Sequence, residues 1–493
     1  MMKIHIVTSA ALALSAAGQL HAAAPVGAKN PNVLLLITDQ QSWEMVHAVS
    51  GNPWVKTPNI DRLVKNGYAF ANAFCANAIS MPSRWAMFTG ESTAAFDMQD
   101  NAAPTSKKNE IIEAARTRSM GTLYKKAGYD TYYIGKLHLA WCDGMSSNKN
   151  PFNYNFTYLE PDERMKGARA GANFFESRKG KKPFLLCVSL INPHDIGVDK
   201  LVITEGGNPT NDKQAKTDAG INGLSYLPKI EALGDDFFLS DRSDPFPANF
   251  ARTDKHPLDP VFDKFYGGYT DLEWRKYIWF YHRLVEQVDG EIGVVLDALE
   301  KSPYKDNTLI IFTSDHGDMG GSHHLAKKNI MYHECERIPL IFSGPGVVGG
   351  IDRTTPVCNG WDLVPTMCSI AGIEIPKELR GLSLWPQVTG GAPVHRDYLY
   401  LEASNGFEIM QDNRWVYLFY ETKGYPEVLY DLQNDPGQLY NIVARPENKA
   451  KLEELRAILK NEIASRGLTV TDNRPYSITG LVRNRQTNNK DNE

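Results

Sequence analysis

Two acidic clusters each follow a run of apolar residues. Residues 33–38 lead into Asp39-Gln40, and residues 309–314 lead into Asp315-His316-Gly317. Two carboxylates, an imidazole and an amide oxygen form a ligand set for a hard divalent cation. Taken singly, an Asp at the end of a strand is a helix cap. Two such groups at the ends of two buried strands favour a metal. Lys136 and His138 follow the run 131–134, His194 follows 184–190, and Lys328 comes after 309–314. Alone, each reads as a surface lysine or a structural histidine. Gathered on one sheet edge, they would grip an anionic tetrahedral group, and sulfate and phosphate both fit.

That gathering depends on the elements that carry these residues. The runs 33–38, 131–134, 184–190, 309–314 and 339–342 are short, apolar and bounded by polar residues, as expected of buried parallel strands. Between them lie helical patterns. Within 274–299, Tyr281, Leu284, Val285, Val288, Ile292, Val295, Leu296 and Leu299 recur at steps of three and four and define one buried face. The alternation predicts an α/β fold: a large, mostly parallel sheet sandwiched by helices. Ligands of such sheets collect outside the carboxyl ends of the strands. From about Tyr398 the pattern changes. Residues 407–411 and 414–420 flank Asp412-Asn413, a hairpin turn signal; a short strand at 427–430 and a charged amphipathic helix at about 447–463 follow. The expected division is a signal peptide over 1–24, a catalytic domain over 25–395 and a small α+β subdomain over 396–493. The segment 196–269, rich in Pro, Gly and Asp with weak periodicity, reads as a long loop region that could shape a pocket.

Composition sets further bounds. The 493 residues are 42% hydrophobic and 23% charged, and 53 basic against 58 acidic residues give a net charge of −5. This is ordinary globular composition, and it argues against nucleic-acid binding, which needs a strongly basic surface. Lys3 is the only charge before Ala24, the stretch 4–20 is mostly small and apolar, and Ala22-Ala23-Ala24 offers a cleavage site. Export from the cell interior is expected. No Cys stands at the junction to carry a lipid, and no later stretch is long and apolar enough for stable membrane insertion. The six cysteines are scattered with no CxxC pair, so disulfides do not organise the fold.

The sharpest motif is Ser80-Met81-Pro82-Ser83-Arg84, followed by Thr89-Gly90. It resembles the signature of the formylglycine-dependent sulfatases of the alkaline phosphatase superfamily, in its Ser form. The resemblance extends over nearly the whole chain, through 32–39, 57–61, 135–138, 192–194, 314–317, 332–339, 362–366, 430–432 and Asp435-Pro436. It implies an alkaline phosphatase-like fold and a role for each site residue. Ser80 is converted to formylglycine (3-oxoalanine). Asp39, Gln40, Asp315 and His316 hold one divalent cation, usually calcium, with manganese or magnesium as alternatives. Arg84 stabilises the hydrated aldehyde, while Lys136, His138, His194 and Lys328 grip the sulfate and move protons. One hydroxyl of the hydrate attacks sulfur, and His194 and Lys328 protonate the departing alcohol oxygen. His138 takes a proton from the second hydroxyl, so that the aldehyde reforms and sulfate leaves. The Ser form implies maturation by an anaerobic radical S-adenosylmethionine enzyme before export, and hence a bacterial protein of the periplasm or the medium.

Two positions depart from the family pattern. Gln40 stands where many members have a second Asp, a substitution shared with phosphonate monoester and phosphodiester hydrolases of the superfamily. Asp195-Ile196 follows His194 where an Xaa-Pro pair is common. The expected activity is hydrolysis of a sulfate ester on a glycan fragment or other small molecule. The alternatives are a phosphodiesterase or phosphonate hydrolase using the same aldehyde, an aryl or choline sulfatase, and a binding protein with unmodified Ser80. Trp43, His47, Trp85, Trp141 and His323 are candidates for lining the pocket, with core packing as the competing role of the aromatics.

Overall fold

The computed structural model describes residues 30–98, 100–142, 152–161, 164–198, 225–251, 268–404, 406–420 and 427–468. The expected signal peptide over 1–24 and much of the loop region 196–269 lie outside the described residues. The first seven strands are β1 (Asn32–Asp39), β2 (Gly67–Phe70), β3 (Ala73–Phe74), β4 (Asp130–Gly135), β5 (Thr157–Pro161), β6 (Phe184–Pro193) and β7 (Thr308–Ser314). The next seven are β8 (Leu340–Ser343), β9 (Gly350–Asp352), β10 (Val357–Cys358), β11 (Leu399–Ala403), β12 (Gly406–Gln411), β13 (Trp415–Tyr420) and β14 (Val428–Asp431).

Among the described residues, the main sheet has eight strands in the order β5-β4-β6-β1-β7-β8-β2-β9. Strands β5, β4, β6, β1 and β7 run parallel. The run 339–342, expected to be parallel, forms β8, which lies antiparallel to both β7 and β2. An apolar run buried on both faces reads the same in either direction, so its composition did not reveal this.

Strand β1 is buried along its whole length and feeds both sides of the core. Val33, Leu35 and Ile37 pack on one side, Leu34 and Leu36 on the other. The period of two thus covers the sheet on both faces. The helices that matter are α1 (Pro58–Lys65), α2 (Ser80–Thr89), α3 (Met165–Ser177), α4 (Asp271–Lys301), α5 (Asn359–Ala371) and α6 (Lys449–Ser465). Helices α1 and α3 and the C-terminal half of α4 pack on the Leu34 side, and α2 and α5 on the Val33 side. Helix α4 begins at a capping box in which Thr270 and Glu273 bond reciprocally, a device that contributes about 1 kcal/mol. Its N-terminal turns extend past the sheet edge and bring Tyr277 and Tyr281 toward the ends of β1 and β7.

The C-terminal sheet is antiparallel, in the order β11-β12-β13-β14. Asp412 and Asn413, with φ of 56° and 53°, are the central residues of the turn closed by the Arg414 amide on the Gln411 carbonyl at 3.0 Å, where the sequence predicts a hairpin, and Arg414 completes the connection to β13. Cys75, Cys187, Cys335, Cys358 and Cys368 form no disulfide among the described residues. Among the described residues, no helix is long and apolar enough to cross a membrane.

Candidate active site

Four adjacent strands, β4-β6-β1-β7, end on the same edge of the sheet. Each delivers part of the site there: Lys136 and His138 after β4, His194 after β6, Asp39 at the end of β1, and Asp315 and His316 after β7. Gly135 makes the turn to Lys136 at φ 90°, and a Cβ there would sit 2.0 Å from the Ser189 carbonyl oxygen. Only glycine fits this close approach.

Helix α2 enters the same edge with Ser80 as its first residue, and all ten of its residues are buried. Pro82 is tolerated because it falls in the first turn, where an amide has no helical partner. Gly90, at φ 72°, closes the helix in the left-handed conformation that favours glycine. The Ser80 end is therefore the positive end of the helix dipole. Ser80 Oγ lies 3.0 Å from Nε2 of His316, and the Lys328 ammonium donates to it at 3.2 Å.

Asp39, Arg84, Asp315 and His316 have no solvent exposure. Arg84 donates to Asp39 Oδ2 at 3.0 Å and to Asp315 Oδ2 at 2.8 Å. Its remaining donor meets Ser189 Oγ at 2.8 Å and the Lys136 carbonyl at 3.1 Å. Its ion pairs are thus with the two carboxylates. Lys136 Nζ lies 2.7 Å from Asp39 Oδ2, and Ser83 donates its hydroxyl to the Asp315 carbonyl oxygen. Burial raises the Asp39 carboxyl, but Lys136, Lys328, His194 and Arg84 together hold it well below the usual range. Burial lowers Lys328 to about 8, against the pull of Asp39. Burial and then Lys136 push His138 down to about 3 and His194 well below the ordinary value. Both imidazoles are therefore neutral.

The donor set suits a cation. Ligand atoms of Asp39, Asp315 and His316 lie within 4.8 Å of one another. Asp39 Oδ1 is buried without a hydrogen-bond partner, with the Lys328 ammonium 3.7 Å away, which leaves the oxygen's lone pairs open to a metal ion. Gln40 has φ 72°, a strained conformation of the kind concentrated at functional sites. Its Oε1 accepts from Lys328 Nζ at 2.8 Å, and its Nε2 donates to Asp318 Oδ2 at 2.7 Å.

Asp318 and Tyr277 were not singled out in the sequence, and Tyr281 was read only as part of the buried face of α4. Tyr277 donates to Asp318 Oδ1 at 2.9 Å, and Tyr281 donates to the Gln40 carbonyl at 2.8 Å. The available signal was the third residue after Asp315 together with an unusually aromatic first half of α4. The departure after His194 also has a local explanation: buried Asp195 is held by Arg164 at 2.6 Å and by its own amide bond to Asn192 Oδ1 at 3.1 Å.

Of the pocket candidates, Trp85 is fully buried against Phe96 and belongs to the core. Trp43 stacks under Arg337, His47 bonds the Asn52 carbonyl, and Trp141 donates to the Pro104 carbonyl. His323 stacks on Tyr332 at 4.0 Å.

Known proteins share this arrangement of chain. The family model for the C-terminal region of N-sulphoglucosamine sulphohydrolase matches residues 321–465. The chain is 25% identical to an N-acetylglucosamine-6-O-sulfatase of Bacteroides thetaiotaomicron, over 88% of this chain and 86% of the relative. It is 27% identical to a Delta 4,5-hexuronate-2-O-sulfatase of the same organism, over 90% of each. A solved structure of a sulfatase from Bacteroides thetaiotaomicron has the same fold, with a TM-score of 0.74, 23% identity, and coverage of 90% of this chain and 96% of that one. The sulfatase family model matches residues 31–373, from the first strand to the end of α5, and the chain belongs to the sulfatase family, the enzymes that hydrolyse sulfate esters.

Proposed function

We propose that the protein removes sulfate from a carbohydrate fragment, using a formylglycine made from Ser80. The observation that carries this reading is the position of Ser80: buried at a helix N-terminus, 3.0 Å from His316 Nε2 and 3.2 Å from Lys328 Nζ, beside the paired carboxylates. The relatives named for amino-sugar and uronate sulfates support the carbohydrate.

Asp39, Gln40, Asp315 and His316 would hold a divalent cation, with calcium favoured by the oxygen-rich set. Such an ion supplies positive charge that favours an ionised nucleophile. The formyl group supplies a hydrate with two hydroxyls on one carbon. The chain's own residues then have distinct tasks. Arg84 fixes the two carboxylates in register, and Lys136 sets the Asp39 oxygen it touches. Lys328, protonated below about pH 8, donates a proton from Nζ to the departing oxygen with His194 beside it. His138, neutral through the working range, receives a proton at its ring nitrogen. The cationic excess of Arg84, Lys136 and Lys328 over two carboxylates suits an anionic group.

Two further parts of the reading concern the cell. The protein is exported in a bacterium, and an anaerobic radical enzyme matures Ser80 beforehand. The presence of Gln40 keeps phosphodiesters and phosphonates as a second substrate class. Peptide mass spectrometry across Ser80, on protein from a host with the maturase, tests the reading directly. Conversion removes about 2 Da. A panel of sulfated sugars, choline sulfate, aryl sulfate and phosphonate monoesters then separates the substrate classes. Fully unmodified serine in matured protein overturns the reading.

A further inference from the structure

A second cluster of buried ligating groups lies apart from Ser80, where the catalytic sheet meets the C-terminal one. His333 and Glu336 belong to one short turn of helix that follows the segment carrying Lys328. Glu408 lies in β12, paired with Leu401 and Leu418 on its two sides. Glu336 is 2% exposed and Glu408 is fully buried. Ligand atoms of all three lie within 4.8 Å of one another.

Burial is costly for groups of this kind unless something meets them. Both oxygens of Glu408, Oε2 of Glu336 and Nε2 of His333 are shielded from solvent and meet no hydrogen-bond donor from the rest of the chain, while the Glu336 and Glu408 carboxyls face each other within hydrogen-bonding reach. Burial, reinforced by Glu408, raises Glu336, and burial brings Glu408 up to about 8. Two facing carboxyls can escape this cost by sharing a proton or by binding a cation. The third group decides between them. A shared proton needs no imidazole, yet His333 turns an unengaged ring nitrogen to the same point. That nitrogen is buried, unpartnered and within 4.8 Å of the carboxylate oxygens, so a lone pair is available for a metal.

We propose that His333, Glu336 and Glu408 bind a divalent transition ion of the zinc class. One imidazole nitrogen and two carboxylate oxygens suit zinc better than calcium, which prefers oxygen alone. The two carboxylates balance the ion's charge. The site ties β12 to the turn after Lys328. That turn is already anchored by the Cys75 amide, which donates to the Glu336 carbonyl at 2.8 Å, and by the His333 amide, which donates to Gln438 Oε1 at 3.0 Å. The ion is structural, and the site stands independently of the reaction at Ser80.

The test measures zinc bound by the full-length chain after incubation with zinc chloride and gel filtration. Asp315→Asn serves as the parent, because it removes a ligand from the site beside Ser80. About one zinc per chain is expected in Asp315→Asn, and about tenfold less when Glu336→Gln and Glu408→Gln are added. A variant that fails to fold would also lose zinc, so the wild-type protein is crystallised with zinc as well. Anomalous density within about 2.3 Å of His333 Nε2 supports the site. Equal zinc content in the two variants, or no anomalous density among the three side chains, overturns it and leaves a shared proton.

Discussion

The Ser80 hydroxyl oxygen stands 3.0 Å from Nε2 of His316, and both residues are fully buried. His316 Nδ1 is in turn engaged with the Gly317 carbonyl at 2.8 Å, so that nitrogen carries the proton and Nε2 presents its lone pair. A hydroxyl held in this way is positioned for modification and attack, with little role in packing. Ser80→Ala is expected to fold normally and to lose at least ~10³-fold in kcat/KM. Thermal melting and turnover of a sulfated sugar check the two parts separately. Retained activity would mean that water attacks the ester directly.

Arg84 joins Asp39 and Asp315 with no solvent exposure on any of the three. Removing it leaves two buried carboxylates short of a counter-charge. Arg84→Met is expected to cost about 3–5 kcal/mol of stability. Arg84→Lys keeps the charge but cannot reach both carboxylates and Ser189 at once, so it recovers only part of the loss. Denaturant unfolding of both variants measures this. Equal stability of Arg84→Met and the parent would mean that the carboxylates are protonated or otherwise compensated.

Lys328 gives the pH dependence. Burial lowers its ammonium to about 8, although Asp39 opposes the shift. The lysine is charged below that value and neutral above it. If Nζ protonates the departing oxygen, kcat falls as pH rises through about 8, by roughly tenfold per unit beyond it. Lys328→Arg stays protonated throughout, so its slower reaction should lack this falling limb. A limb that persists in Lys328→Arg would assign it to another group.

Much of this was legible in the sequence because the informative residues sit next to strong periodic signals. Asp39 and Asp315 terminate runs that alternate between both halves of the core, and a strand end in a parallel sheet has only one place to go. The Ser80 motif carried its own folding instructions: Pro82 in a first turn and Gly90 at the helix end. The direction of β8 was not legible, since burial on both faces leaves no direction-dependent pattern. Nor was the packing of Trp85 or the support of Gln40 by Asp318 and Tyr277. The contact between Gln40 and Asp318 joins positions 278 apart in the chain, and local composition is silent on that.

Asp318 is the most informative of the residues that sequence reasoning missed. Its Oδ2 accepts from Gln40 Nε2 at 2.7 Å, which turns Gln40 Oε1 toward Lys328 at 2.8 Å. Tyr277 donates to both Asp318 oxygens at 2.9 and 3.1 Å and holds the carboxylate in place. Gln40 is symmetric in shape but not in chemistry, and Asp318 determines which end faces the site. With Asp318→Asn the side chain can present its own amide, and Gln40 is free to reverse. Reversal would aim an NH₂ group at Lys328 and at the cation, and both contacts would become repulsive. Outer partners of metal ligands typically contribute 10–100-fold to affinity or activity, so Asp318→Asn should weaken cation binding by about that factor. Calcium titration followed by calorimetry reads the affinity, and chelation followed by readdition of calcium or manganese reads the activity. Asp318→Ala, which leaves a gap in place of a misplaced donor, should be milder on the orientation of Gln40 but harsher on Tyr277. An unchanged affinity in Asp318→Asn would mean that Gln40 stands outside the cation's ligands and serves only to orient Lys328.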